Sequence, residues 1–324
     1  MNDKWKKLCL GILLPILLLC VTVLLAQQEG MPPSATKTPA TLPPPTGPSA
    51  RQTITVVQGE TRREMELDDY LVGVGLAEMP AGFEPEALRA QAVAARTYAV
   101  KSCADGTRHG KNSICTDSTC CQGYTSPEAY AASGGSSANI SKVRQAVQDT
   151  AGLVLTYEGQ LIMATFFSCS GGKTEDAVAV WGNDVPYLQS VESRGEEEAM
   201  AAFSDTQTFT PEQIQAALGV SIKGAVDSWF GPVTYTDGDG VDTMVIGGVL
   251  YRGTTLRKLL NLRSTAFRVT VSGGLVTVQT WGYGHRVGMS QYGANAMAKA
   301  GSDFRQILQH YYQGVEIVQY PLED

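Results

Sequence analysis

The 324-residue chain changes its hydrophobic pattern twice before it settles into a globular rhythm. Leu8 to Ala26 is an uncharged run dominated by Leu, Ile, Val and Cys, preceded by Lys4, Lys6 and Lys7. Its length suits one membrane-spanning helix and exceeds the apolar core of an ordinary signal peptide. The basic flank predicts a cytoplasmic N-terminus, with everything after Ala26 on the outer side of the membrane. Leu24 occupies the position three before a cut at Ala26, and Leu17-Leu18-Leu19-Cys20 lacks the small residues of a lipoprotein signal, so a retained single-pass anchor is favoured over a cleaved signal. From Gln27 to Ser49 Pro, Thr and Ser take over around Pro43-Pro44-Pro45, with no apolar periodicity. Such a composition gives a solvated tether. The expected organisation is residues 1–26 as basic tip and anchor, 27–50 as linker and 51–324 as a folded domain with a proper core.

Within the folded part, a β-rich opening at Thr53 to Gln58 leads through Met65 to Leu71 into the first strong helical pattern, Pro85 to Cys103. Pro85 suits a first turn, Glu86 sits near the positive end of the helix dipole, and Leu88, Ala92, Ala95 and Tyr98 share one side. A loop containing Cys and His follows from Ala104 to Gly123, and then a helical stretch from Ser141 to Thr150. Leu153 to Tyr157 and Leu161 to Phe167 read as a hairpin about Glu158-Gly159-Gln160. Ser168 to Glu175 is too rich in Gly and hydroxyls for regular structure. The acidic run Glu196-Glu197-Glu198 opens a variable-looking stretch, and Thr210 caps a helix from Pro211 to Leu218. A β-rich region spans Ser228 to Val249, Gly253 to Leu260 is a short helix, and Phe267 to Trp281 reads as two strands about Gly273-Gly274. Helices at Ser290 to Lys299 and Phe304 to Tyr312 close the chain. No internal repeat is evident, so the predicted class is α+β.

A net charge of −7 excludes nucleic acid and anionic lipid as main partners, since both demand a basic surface, whereas neutral glycan stays open. Of the seven cysteines, Cys9 and Cys20 lie in the anchor, and the odd set Cys103, Cys115, Cys120, Cys121 and Cys169 lies outside it. Most of that set clusters within a short segment, which suggests a metal site, or one disulfide with spare thiols, more than a disulfide framework.

Three separated stretches resemble the stage II sporulation protein D family and its autolysin-modifier relatives. The first is Tyr70-Leu71-x-Gly73-Val74, Ala77-Glu78-Met79-Pro80 and the run from Glu86 to Tyr98; the second is Ser170-Gly171-Gly172-x-Thr174-Glu175 with Trp181-Gly182; the third runs from Gly282-x-Gly284-His285 through Val287-Gly288-Met289-Ser290-Gln291-Tyr292-Gly293-Ala294. The resemblance implies an extracytoplasmic lytic transglycosylase of sporulation, acting during engulfment on glycan strands of peptidoglycan already stripped of peptides by a partner amidase such as stage II sporulation protein P. It also implies a substrate cleft between subdomains. Where the family usually has glycine this chain has Arg286, for which a bulkier, more basic loop tip is expected.

The family's catalytic acid carries over to Glu78. A lytic transglycosylase manages with one carboxyl group because the sugar's own 6-hydroxyl is the nucleophile, whereas hydrolysing glycosidases normally need two. The single acid requires a raised pKa and therefore a partly apolar pocket, expected from Ala77, Met79 and Pro80. Arg96 on the next helix is a candidate to orient Glu78 or substrate, the alternative being a stem packed along its helix. Ser170, Lys173, Thr174 and Glu175 offer groups for sugar hydroxyls, the alternative being a tight structural turn, and His285 and Gln291 are expected to face the same cleft. His109, Cys115 and Cys121 form a soft donor set suited to a structural zinc with one open position, the alternative being a disulfide from Cys115 to Cys120 or Cys121. The His-x-Glu and Cys-x-x-Cys elements of zinc deaminases are missing. The competing functions are a non-catalytic glycan-binding modifier that stimulates a partner hydrolase and, ranked lower, a zinc amidase cutting the peptide stem.

Overall fold

The computed structural model describes residues 52–320, so the anchor and linker expected for residues 1–50 lie outside the described residues. Among those described, no helix is long and apolar enough to cross a membrane. The chain opens with the hairpin β1 (Thr53–Gln58) and β2 (Thr61–Glu66), then α1 (Leu67–Glu78), the long α2 (Pro85–Asp105) and β3 (Ser113–Cys115), which pairs parallel to β1. Next come α3 (Pro127–Ala132), α4 (Ser137–Asp149), β4 (Leu153–Tyr157), β5 (Gln160–Leu161), β6 (Phe166–Phe167), α5 (Ala177–Trp181) and α6 (Glu196–Ala199). A β-rich segment holds β7 (Ser204–Phe209), α7 (Pro211–Leu218), β8 (Phe230–Tyr235), β9 (Val241–Ile246), β10 (Val249–Arg252), α8 (Gly253–Leu259), β11 (Phe267–Ser272) and β12 (Leu275–Trp281). The chain returns through β13 (Met289–Ser290), α9 (Gln291–Lys299), α10 (Phe304–Tyr311) and β14 (Glu316–Gln319). Helices and small sheets are mixed throughout, as the α+β expectation requires.

Two apolar cores divide this architecture. The first gathers residues of α1, α2 and α4 with α9 and α10, and draws on nothing between Val191 and Val287. The second lies wholly within the β-rich segment, around Ile214, Trp229, Met244, Leu256, Phe267 and Val276. The two ends of that segment meet: Ser204 is opposite Trp281 in the β7–β12 ladder, and the Gly282 amide donates to the Phe203 carbonyl at 2.9 Å. A groove of about 770 Å³ runs between the lobes, lined on one side by Lys173 and Arg194 and on the other by Phe203, Asp239 and Arg268.

Two local departures from the sequence pattern shape the site. α1 carries no one-sided apolar stripe, because nearly its whole length from Tyr70 to Leu76 is buried, and a helix wrapped on all sides reads as featureless. The expected hairpin after β4 pairs for only two residues through the turn at Glu158 and Gly159. The chain then peels away, and Phe166–Phe167 pairs in parallel with Met289–Ser290, joining the middle of the chain to the start of α9.

Candidate functional site

Glu78 is the last residue of α1, half-buried, with Met79 buried beside it but Ala77 and Pro80 exposed. The apolar surroundings therefore come from burial at the helix end more than from all three expected neighbours. Burial raises the carboxyl pKa above its ordinary value, while the Gly123 amide and the Gln291 amide group pull it back. The Gly123 N–H donates to Oε1 at 2.6 Å. A Cβ at residue 123 would stand 2.8 Å from Oε1, so a side chain there would push the Glu78 carboxyl group aside. Gln291, the first residue of α9, is 4% exposed, and its Nε2 makes no bond of normal geometry to protein. Half-buried Glu78 thus stands beside the buried amide of Gln291.

Gly123 closes the Cys/His loop that follows α2, so that loop delivers the amide to Glu78. Its donors His109, Cys115, Cys120 and Cys121 converge, with ligand atoms all within 4.8 Å of one another. Sγ of Cys120 lies 3.5 Å from His109 Nε2 and 3.6 Å from Cys121 Sγ. A tetrahedral zinc, with Zn–S of about 2.3 Å and Zn–N of about 2.0 Å, spaces its ligands by roughly 3.5–3.8 Å. The donors fit such an ion. The three-ligand set with an open position is corrected by Cys120, which was legible only as a cysteine beside Cys121. All five described cysteines are free thiols, in place of the disulfide alternative.

The other expected substrate contacts are distributed unevenly. Arg96 is 1% exposed, and its guanidinium donates to the carbonyls of Val147 and Thr150 at the end of α4 and to Asp68 of α1. There it supplies the cation that α4 lacks in its own last turn, so the expected orienting role gives way to a core role. Ser170, Thr174 and Glu175 are buried: Ser170 bonds to Glu196, Thr174 to the backbone of Val191, and Glu175 to Arg286. Lys173 alone of this loop group lines the inter-lobe groove, its ammonium on the Asp237 carbonyl. Glu78, His285 and Gln291 do not line that groove.

His285 packs against Phe167 and Trp181 with tilted rings and hydrogen-bonds to the Phe166 carbonyl. Burial, aided by the positive charge of Arg257, pushes its pKa down to about 4, which leaves a neutral ring at physiological pH. Arg286 overturns the expectation of a basic loop tip. It is 1% exposed, pairs with Glu175 at 3.0 Å, and donates to the carbonyls of Ser170, Lys173 and Gly238. The pair fastens the second lobe to the Ser168–Glu175 loop.

Fold and site together define a class, an α+β protein in which a half-buried acid, Glu78, accepts from the amide that closes a cysteine- and histidine-bearing loop. The family model described as "Stage II sporulation protein" matches residues 57–157, the span that carries α1, the loop and Gly123. The chain is 42% identical over 256 residues to stage II sporulation protein D of Bacillus amyloliquefaciens and, equally, to that of Bacillus subtilis strain 168, covering 78% of this chain and 74% of each relative. It is also 30% identical over 308 residues to the amidase enhancer of Bacillus subtilis, covering 77% of this chain and 40% of that protein. The chain belongs to the stage II sporulation protein D family.

Proposed function

We propose that the protein is a lytic transglycosylase that cuts the MurNAc–GlcNAc bond of peptidoglycan glycan strands during sporulation engulfment, with Glu78 as acid and then base. The observation that carries this reading is Glu78 at the end of α1, a carboxyl group whose pKa burial raises and whose partners are the Gly123 and Gln291 amides. Protonated Glu78 gives its proton to the glycosidic oxygen as the bond to C1 breaks. The muramic 6-oxygen then bonds to C1 while its proton passes to the Glu78 carboxylate, which closes a 1,6-anhydro ring and restores the acid. The Gly123 N–H and the Gln291 amide stabilise the carboxylate formed midway. Lys173 meets the strand at the groove, whereas Arg96, Ser170, Thr174, Glu175 and His285 hold the frame.

The His109, Cys115, Cys120 and Cys121 cluster holds a structural zinc. Four protein ligands leave no place for a metal-bound water, so the ion's contribution is to fix the loop that presents Gly123. The apolar run at residues 8–26 anchors the protein in the membrane with its folded part outside, next to a partner amidase resembling stage II sporulation protein P, which strips peptides from the strands. The name of one relative, amidase enhancer, favours a second reading in which the chain grips glycan and stimulates an amidase without cutting.

Incubating the fragment from Arg51 with purified glycan strands and weighing the products separates these readings. Transglycosylation yields 1,6-anhydro ends, hydrolysis yields ends one water heavier, and a pure binder yields neither. Glu78→Gln is expected to keep fold and glycan binding and to abolish product. Cleavage near the wild-type rate in that variant would refute the assignment of the acid.

A further inference from the structure

Glu196, in the acidic run that opens the variable-looking stretch, is 0% exposed. Its carboxylate accepts from the backbone N–H groups of Ser170, Gly171 and Gly172, at 3.1, 2.9 and 3.2 Å to Oε2, and from the Ser170 hydroxyl and the Cys169 thiol. Gly171 and Gly172 have φ of +80° and +109°, which turns successive amides inward into a nest that ordinarily receives a free anion. Here the protein's own side chain fills it. The other oxygen accepts from the hydroxyls of Ser193 and Ser290, and Ser193 is joined in turn to Tyr311 of α10 at 2.6 Å. Ser290 is the N-cap of α9, its Oγ taking the Gly293 amide, and Gln291 is the residue that follows it.

We propose that Glu196 is a positioning residue, whose buried carboxylate gathers the Ser168–Lys173 loop and the start of α9 and thereby holds Gln291 against Glu78. The proposal rests on the reading of Glu78 as the working acid. Its physical basis is that a buried carboxylate is tolerated only where charge-assisted hydrogen bonds replace its water, so the three rigid amides and the Ser290 hydroxyl must stay gathered around it. Removing the carboxylate leaves those donors buried and unpaired, and the cheapest relief is for the loop and the α9 cap to move apart.

The test uses the full chain in detergent micelles, with Glu196→Ala, Gln291→Ala and the double variant. Three readouts are taken: hydrogen exchange at the 168–175 loop and at Gly293, the Glu78 titration followed by carboxyl carbon NMR, and the kinetics of glycan-strand cleavage. Glu196→Ala is expected to speed exchange at those amides while the α1–α2 core stays protected. The Glu78 pKa should move further up as Gln291 withdraws. The kcat should fall on the order of 100-fold with KM little changed, as for a misplaced reacting group. Because both residues act through one contact, the double variant should be no slower than Gln291→Ala alone. If Glu196→Ala does not fold, Glu196→Gln serves, since its amide oxygen can face the nest while its NH₂ must face Ser193 and Ser290; the same upward shift with a smaller loss of kcat is expected. Losses that multiply, or an unmoved Glu78 titration with Gly171 and Gly172 as protected as before, would overturn the proposal. A wild-type chain that makes no product refutes only the cleavage reading, because exchange and titration still decide the role of Glu196.

Discussion

Burial sets the properties of Glu78 and of Arg286, with opposite consequences for stability. The folded-state pKa of Glu78 lies above its unfolded value, so the group's contribution to stability is fully present below the ordinary carboxyl range and is lost as pH rises through the raised value. Above that value the ionised acid is therefore a liability that Gln avoids, while the Gln oxygen can still accept from Gly123. Glu78→Gln should melt higher than wild type at pH 7, at about 2–4 °C per kcal/mol, with the gap closing near pH 4; a gap that ignores pH would contradict this. Arg286 stands at φ +69°, where a glycine is at ease and an L-residue loses about 1–2 kcal/mol. Its ion pair offsets that strain, because leaving Glu175 buried and alone costs about 3–5 kcal/mol. Restoring the family glycine by Arg286→Gly should thus destabilise this chain by roughly 2–3 kcal/mol, and Glu175→Gln added to it should recover most of the loss, both read from denaturant midpoints. A neutral or stabilising Arg286→Gly would show that the pair does not clasp the lobes. The sequence marked both positions, Glu78 by motif and Arg286 by departure from motif. It hid the direction of the Arg286 side chain, because its partner Glu175 and the Gly238 carbonyl approach from segments far apart in the chain.

Among the elements, those with local signals were legible. The capping box of Thr210 and Gln213, the Gly273-Gly274 turn and the Pro85 start of α2 all stand where short-range chemistry put them. α1 was not, since burial on every side erases periodicity, and α4 begins earlier than its apolar pattern because its cap, Ser136, sits in a Ser/Gly-rich patch. The Cys/His loop is intermediate: three donors were legible from residue type, whereas Cys120 and the role of Gly123 depend on how the loop folds back onto α1. The segment from Gly106 to Gly123 has little regular structure of its own, with β3 only three residues long, so on the proposed zinc reading removal of the ion should unfasten it. Purified protein is expected to carry about one zinc per chain, and chelation should lower the melting temperature and speed exchange at Gly123. Activity should fall with that disorder. Cys120→Ser should retain zinc with weaker affinity, because a water can take the vacated position. Identical melting of metal-free protein, with mass spectrometry showing Cys115 joined to Cys120 or Cys121, would replace the ion with a disulfide clip.

At the scale of the whole molecule, the second lobe behaves as an insertion into the first. Its core is its own, the first core takes nothing from it, and its two ends are joined through the β7–β12 ladder and the hydrogen bond from Gly282 to Phe203. The matched family segment, residues 57–157, lies entirely outside it, together with Glu78 and the metal donors. The principal polar ties across the boundary are those of the Arg286–Glu175 pair with Thr236, Gly238 and Thr265. Replacing residues 204–281 by a short turn between Phe203 and Gly282 should therefore leave the first lobe folded, provided that Arg286→Gly and Glu175→Gln remove the charges that the deletion would strand. Without those two changes the Arg286–Glu175 pair loses its partners Thr236, Thr265 and Gly238, and where the pair stays buried the deletion alone should be less stable by about 1–3 kcal/mol than the triple variant. Zinc content and the raised Glu78 titration should persist in the triple variant, while the groove that takes Lys173 is lost and strand affinity drops. Circular dichroism, metal analysis and glycan binding read these outcomes separately. A triple variant that fails to fold, or that loses its zinc, would show that the second lobe is part of the frame that builds the site.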